Sequence, residues 1–263
     1  MNNFVYHIPT KVYFGENTLG NLGKELSAFG KKVLLCYGGG SIKITGLYDK
    51  IISELNNAGL QYFELSGIQP NPRVTSVRQG AEICKREKID VILAVGGGSV
   101  IDCAKFIGAA AFYNGDPWDL STKKAPITDC LPIVTVLTLA ATGSEMDPTG
   151  VISNNDTNDK LGGGAFVMLP RVSFLDPSNT FTVSAYQTAC GSVDIMSHIF
   201  EVYFHMDNDL YMLDGFMEVL LKTVIKFAPI AMKHPDNYEA RANLMWTCLL
   251  YTSPSPRGST SSR

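Results

Sequence analysis

The chain has 263 residues, 45% of them hydrophobic, and a formal net charge of −3. That is enough apolar material for one large domain or two modest ones, and the slight acidic excess gives no ground for a nucleic acid or an anionic membrane as partner. No basic segment and apolar run follow Met1 and no stretch is long enough to span a bilayer, so a soluble, cytoplasmic protein is expected.

Phe4 to Phe14 reads as extended, with a turn at Gly15, and Asn21 to Phe29 as a short helix stopped by Gly30. Lys32 to Tyr37 has the pattern of a buried strand and runs into Gly38-Gly39-Gly40-Ser41. Leu47, Ile51, Ile52 and Leu55 recur at helical spacing, and Gly59 is placed as a C-terminal cap. Leu60 to Leu65 is a strand candidate, and Gln69-Pro-Asn-Pro72 a loop, because neither proline suits a helix interior. Val74 to Lys88 reads as helix, and Asp90 to Val95 as a second buried strand running into Gly96-Gly97-Gly98-Ser99. Ser99, Asp102 and Lys105 follow on a helix.

Ile133 to Val136, Val151 to Ser153, Phe166 to Met168 and Val172 to Leu175 read as further strands, with a polar turn from Asn154 to Lys160. After Asp176-Pro177 the strand signals stop, and a domain boundary is placed near Pro177. Ser184-x-x-Gln187 is a capping box opening a helix to about Tyr203. Asp209 to Phe227 and Asn237 to Leu250 are further helices, with Pro229 and Pro235 between them. The tail from Tyr251 to Arg263 is polar and is expected to be disordered. Alternating strand and helix predicts a parallel sheet covered by helices, an α/β fold, followed by an all-helical segment. The six cysteines are scattered, without a Cys-x-x-Cys pair, and read as reduced thiols.

A glycine cluster after a strand is by itself as well explained by a tight turn as by a phosphate cradle. Two such clusters on the same sheet edge suit a ligand with two ends, because ligands of open α/β sheets lie outside the carboxyl ends of the strands. Neither Tyr37 nor Gly38 is acidic, so nothing there repels a 2′-phosphate, and the turn leans toward NADP. Thr138 and Thr142 follow the Ile133 strand and could line a cofactor groove; alone they read as turn and cap residues. Lys160 could reach ribose or phosphate oxygens, or be a solvated surface lysine. Asp194 and His198 are four apart and share a helix face, separated by a rise of roughly 6 Å. Such a pair can converge on one Zn²⁺ or Fe²⁺ ion, although alone it is more often a surface pair. Glu201 and His205 continue the stripe and read as structural.

In this order the motifs resemble the iron-containing (group III) alcohol dehydrogenases, in particular their NADP-preferring butanol dehydrogenase branch. The stretches that carry the resemblance are Tyr37-Gly-Gly-Gly-Ser-Ile-Lys43, Pro70-Asn-Pro72, Gly96 to Lys105, Thr142-Gly-Ser-Glu145, Lys160, Asp176-Pro177 and Gly191 to Glu201, and the likeness runs from about Asn3 to Trp246. It implies a dehydroquinate synthase-like architecture: a Rossmann-like NAD(P)-binding domain over residues 1–177, then the start of an all-helical metal-binding domain over 178–250. It also implies that Gly38, Gly39, Gly40 and Ser41 face the adenosine end, with Asn71 nearby, and that Gly96, Gly97, Gly98 and Ser99 hold the pyrophosphate. Asp102 belongs to the same motif, Thr138 and Thr142 border the nicotinamide half, and Lys160 is a further contact.

Asp194 and His198 match the first two ligands of a divalent metal, Fe²⁺ or Zn²⁺, and are the residues implied at the chemistry. The implied activity is hydride transfer between NADP or NAD and a small alcohol or aldehyde such as butanol or butanal, and a homodimer is the assembly the resemblance suggests. The family adds two histidines further along, and after Trp246 this sequence has none. A truncated enzyme with a foreign tail over 251–263, inactive as written, is the resulting expectation. A glycerol dehydrogenase-like polyol oxidoreductase and a non-catalytic nucleotide-binding fragment are the alternatives.

Overall fold

The computed structural model describes residues 7–204 and 210–252. In chain order the strands are β1 (Lys11–Phe14), β2 (Lys32–Tyr37), β3 (Gln61–Leu65), β4 (Val91–Gly96), β5 (Ile133–Leu137), β6 (Thr149–Asn154), β7 (Asp159–Gly164) and β8 (Val172–Leu175). The α-helices are α1 (Leu22–Ser27), α2 (Ser41–Ile44), α3 (Leu47–Asn57), α4 (Val74–Glu87), α5 (Gly98–Ala110), α6 (Trp118–Ser121), α7 (Ala185–Tyr203), α8 (Tyr211–Lys233) and α9 (Tyr238–Thr252).

Six strands form one sheet in the order β1-β8-β5-β4-β2-β3, and every neighbouring pair is parallel. β6 and β7 make a separate antiparallel hairpin. The apolar runs of β2 and β4 explain the centre of the sheet, since a parallel sheet is covered on both faces. Leu34, Cys36, Ile92 and Ala94 point into a core shared with Val77 of α4 and Ile101, Phe106 and Ile107 of α5. Their neighbours Val33, Leu35, Val91, Leu93 and Val95 point the other way, onto Leu22 and Leu26 of α1 and Ile51 and Leu55 of α3. Asp90 Oδ2 accepts from the backbone N–H groups of Lys31 and Lys32 at 2.8 and 2.9 Å, pinning the start of β2 to that of β4.

Helices α7, α8 and α9 share a third core, with Ile195 and Ile199 against Met217, Leu220 and Val224, and Leu244 and Cys248 from α9. Ser184 caps α7, its Oγ accepting from the Gln187 N–H at 3.2 Å. Among the described residues no helix is long and apolar enough to cross a membrane.

Four expectations are corrected. Tyr251 and Thr252, read as the start of the tail, close α9, with Tyr251 buried. Phe166–Met168 is one turn of 3-10 helix rather than a strand. The polar turn is shorter than expected, because Asp159–Gly164, glycine-rich and poor in β-formers, still pairs along all of β6. Pro229 lies inside α8 rather than between helices. A proline there deprives the carbonyl four residues earlier of its donor, and that residue, Ile225, is on the solvent side of the helix. The readings placed on Phe4, His205, Asp209 and residues 253–263 fall outside the described residues.

Candidate functional site

The chain leaves β2 for β3 on one side and β4 for β5 on the other, so a crevice opens at the carboxyl ends of these two neighbouring strands. Both glycine turns stand there. Gly40 adopts φ 103°, a conformation that disfavours any side chain, and leads directly into α2. Gly98 opens α5, and a Cβ there would lie 2.3 Å from Thr142 Oγ1, so the Thr142 side chain packs closely on the helix start. The N-terminal N–H groups of this 13-residue helix and its dipole favour an anion at Gly98 and Ser99.

A cleft of about 440 Å³ runs past this point. Its lining includes Ser41, Ile42, Gly97, Thr138 and Leu139 and, from the chain after Asp176-Pro177, Asn179, Thr182, Val183, Ser184 and Gln187. The structure thus brings Ser41, Gly97 and Thr138 to one cavity. This second group was not read from the sequence. Its residues follow Asp176-Pro177 and carry no pattern beyond the Ser184 cap.

Three further candidates meet at the edge of the α5 turn. Lys160 Nζ donates to Asn71 Oδ1 at 2.7 Å. The Asn71 N–H donates to Ser99 Oγ at 3.3 Å. Asn71 sits at φ 54°, and the loop that holds it is fastened to the hairpin by Ser153 N–H on Pro72 O at 2.8 Å. At the other turn, Glu64 of β3 accepts from the Tyr37 hydroxyl at 2.6 Å and the Tyr48 hydroxyl at 2.8 Å, with Lys43 Nζ 4.7 Å from the Tyr48 ring. That carboxylate is already engaged.

Asp102 is held from within. Its Oδ1 accepts from Ser144 Oγ and its Oδ2 from the Val151 N–H at 2.9 Å. Burial raises its pKa, against the pull of Lys105 and these hydrogen bonds. Lys105 itself is fully buried and donates to Ser144 Oγ, Asp147 Oδ1 and Thr149 O at 3.0, 3.1 and 2.6 Å. The partners Ser144, Asp147 and Thr149 were not anticipated, since they come from a segment some 40 residues further on, and spacing says nothing about that contact.

On α7, Asp194 Oδ1 lies 3.8 Å from His198 Nε2, and the two side chains are 44% and 37% exposed. His198 Nδ1 lies 3.4 Å from Glu201 Oε2. The second ring nitrogen is thus occupied by a carboxylate, the arrangement that orients a metal-binding imidazole. The ring stacks on Tyr251 at 5.4 Å, and the Tyr251 hydroxyl donates to Ala141 O at 2.7 Å, tying this part of α7 to the Thr138–Thr142 segment. One oxygen and one nitrogen donor fit half of a Zn²⁺ or Fe²⁺ site. Among the described residues no group of three or more His, Cys, Asp or Glu side chains could hold a metal ion. Gln187, in the cleft wall, and Asp194 are seven residues apart on one helix, roughly 10 Å along its axis.

Residues 9–177 match the family described as iron-containing alcohol dehydrogenase, and residues 188–253 the C-terminal part of the same family. The chain is 52% identical over 250 residues to NADH-dependent butanol dehydrogenase B of Clostridium acetobutylicum, an alignment covering 95% of this chain and 64% of that protein. It is 41% identical over 249 residues to the NADPH-dependent aldehyde reductase YqhD of Escherichia coli, covering 94% and 64% respectively. The crystal structure of NADH-dependent butanol dehydrogenase A from Thermotoga maritima superposes with a TM-score of 0.93 at 42% identity, over 96% of this chain and 64% of that one. The chain therefore spans just under two thirds of the length of these relatives. With the larger part of its length matched and the sheet and helices superposing, the chain belongs to the iron-containing alcohol dehydrogenase family.

Proposed function

We propose that this chain forms the coenzyme cleft, and two ligands of the metal site, of an oxidoreductase. It would move hydride between NAD(P)(H) and small primary alcohols or aldehydes, butanol and butanal among them. The observation that supports this reading is the path of α7. The helix begins at the cleft that Gly97 also lines and carries Asp194 and His198 about two and a half and three and a half turns further on.

When bound, a divalent metal would lend Lewis acidity to a substrate oxygen and the nicotinamide would exchange the hydride. The chain's own residues bind and orient. Gly98 and Ser99 offer backbone donors and the positive end of α5 to a pyrophosphate, and Lys160 adds a cation beside them. Thr138 and Gln187, which line the same cleft, would set the position of the ring end. No protein nucleophile is required.

Calorimetry with NADPH, NADH and Zn²⁺, followed by NADPH oxidation with butanal, tests the reading. Turnover is measured on this chain and on a version extended by the remaining third of a relative. Coenzyme binding by both chains, with metal-dependent turnover by the extended one, is expected. No turnover by the metal-supplied extended chain would overturn the enzyme reading. Coenzyme binding without metal uptake in either form would favour the second reading, a nucleotide-binding module, which the count of two donors supports. A homodimer is part of the proposal and is read by light scattering.

A further inference from the structure

We infer that Lys105 is a positioning residue for coenzyme binding: it clamps the β6–β7 hairpin to α5 and so sets Lys160 over the phosphate turn. The inference rests on the coenzyme reading above and adds a residue that does not itself touch the ligand.

The geometry of the clamp carries it. The Lys105 ammonium is fully withdrawn from solvent, an unusual place for a lysine. Its acceptors come from two other segments: Ser144 Oγ and Asp147 Oδ1 from the turn after Thr142, and Thr149 O from the first residue of β6. Asp102, one helical turn earlier on α5, completes the set by accepting from Ser144 Oγ and from Val151 N–H of β6. Asp147 Oδ1 accepts as well from the N–H and hydroxyl of Thr149, so the acceptor is itself fixed.

One buried network therefore joins the three segments that surround the phosphate turn. These are the helix that starts at Gly98, the segment bearing Thr142, and the hairpin bearing Lys160. A buried charge pair contributes little net stability compared with apolar side chains of the same volume. What a cation adds here is direction, because its three acceptors sit at fixed angles while a methionine would make undirected contacts. The far end of the hairpin reaches the turn through Lys160 on Asn71 and Asn71 on Ser99. A loosened clamp would release that reach without altering the helix start.

The test is a double-mutant cycle on NADPH affinity, followed by fluorescence titration, with Lys105→Met, Lys160→Ala and the double variant. Each single change is expected to weaken binding roughly tenfold, the order of one lost charge-assisted contact. The double variant should bind no more than about twofold worse than the weaker single one, since Lys160 can be misplaced only if it is present. Hydrogen exchange should rise over residues 149–164 in Lys105→Met and stay unchanged over α5. Ser144→Ala, which keeps both charges and removes the hydroxyl between them, repeats the cycle if Lys105→Met does not fold.

Wild-type affinity in a folded Lys105 or Ser144 variant would overturn the inference. So would a double variant whose losses multiply. A wild-type chain that binds neither coenzyme would instead overturn the functional reading beneath it.

Discussion

Gly191 of α7 lies so close to the backbone of Ala140 that a Cβ on it would come within 2.7 Å of the Ala140 carbonyl oxygen. The helix that carries Asp194 and His198 thus rests directly on the segment between Thr138 and Thr142. Backbone cannot yield to a methyl group as the tip of a flexible side chain can. Gly191→Ala should push the two apart and cost about 1–3 kcal/mol through overpacking. The urea midpoint should fall, and Zn²⁺ affinity should drop along with it. An unchanged midpoint would show that α7 is seated elsewhere.

Glu145 is fully buried, and one of its carboxyl oxygens has no hydrogen-bond partner. Burial pushes its pKa up from the usual 4.5 to about 7, helped by Asp147 and opposed by its own backbone N–H and Lys105. Below pH 4.5 the folded and unfolded chains both hold the proton. Between there and about pH 7 only the unfolded chain releases it, so this group makes stability fall as pH rises, by about 3 kcal/mol in all, and the loss levels off above that window. Glu145→Gln should flatten this part of the profile. Thermal melts at pH 5 and pH 8 check it: the difference between the two should shrink in the variant, and an unchanged difference would rule out Glu145 as its source.

Arg241 of α9 is buried and donates to Thr188 Oγ1 at 2.8 Å, to Pro235 O at 2.9 Å, and at 3.4 Å to Val183 O and Ala231 O. Burial lowers its pKa. One guanidinium thereby joins α9, the end of α8, α7 and the lip of the cleft at Val183. Arg241→Met leaves these acceptors without a donor and should cost about 2–4 kcal/mol. Chemical denaturation measures the cost, and coenzyme affinity should weaken with it because Val183 lines the cleft.

Of the six cysteines only Cys190 is exposed. Burial pushes the thiols of Cys84, Cys103 and Cys130 up to about 12, and those of Cys36 and Cys248 well up from their ordinary value. An aromatic disulfide reagent at pH 8 should therefore label one thiol quickly in the native chain and six in denaturant. Fast labelling of two or more native thiols would contradict the packing around α4 and α5.

The strands at the centre of the sheet were legible because burial on both faces demands an unbroken apolar run, and β2 matches its expected bounds to the residue. The start of α7 was legible for an equally local reason, the Ser184 cap. β7 was not, because Asp159–Gly164 forms a strand only through its partner β6, and three of its six residues have no side chain to announce it. The candidate site divides the same way. Each glycine turn is a short stretch whose shape follows from its own residues. That Asn71, Ser99 and Lys160 touch, or that Lys105 reaches Thr149, depends on how three separate segments stack, and spacing along the chain carries no such information.

The pairing of β1 with β8 has a consequence for how the molecule comes together. Thr10 and Pro170, hydrogen-bonded to each other, are 160 residues apart, and the first strand made lies beside the last strand of the sheet. During synthesis β2, β3, β4 and β5 can each find a neighbour soon after they emerge, whereas the N-terminal strand must wait until β8 has left the ribosome. Closing so long a loop is slow. The edge of β5 that β8 will cover stays open in that interval and β1 has no neighbour, so the nascent chain is most vulnerable to strand exchange with another copy at that moment.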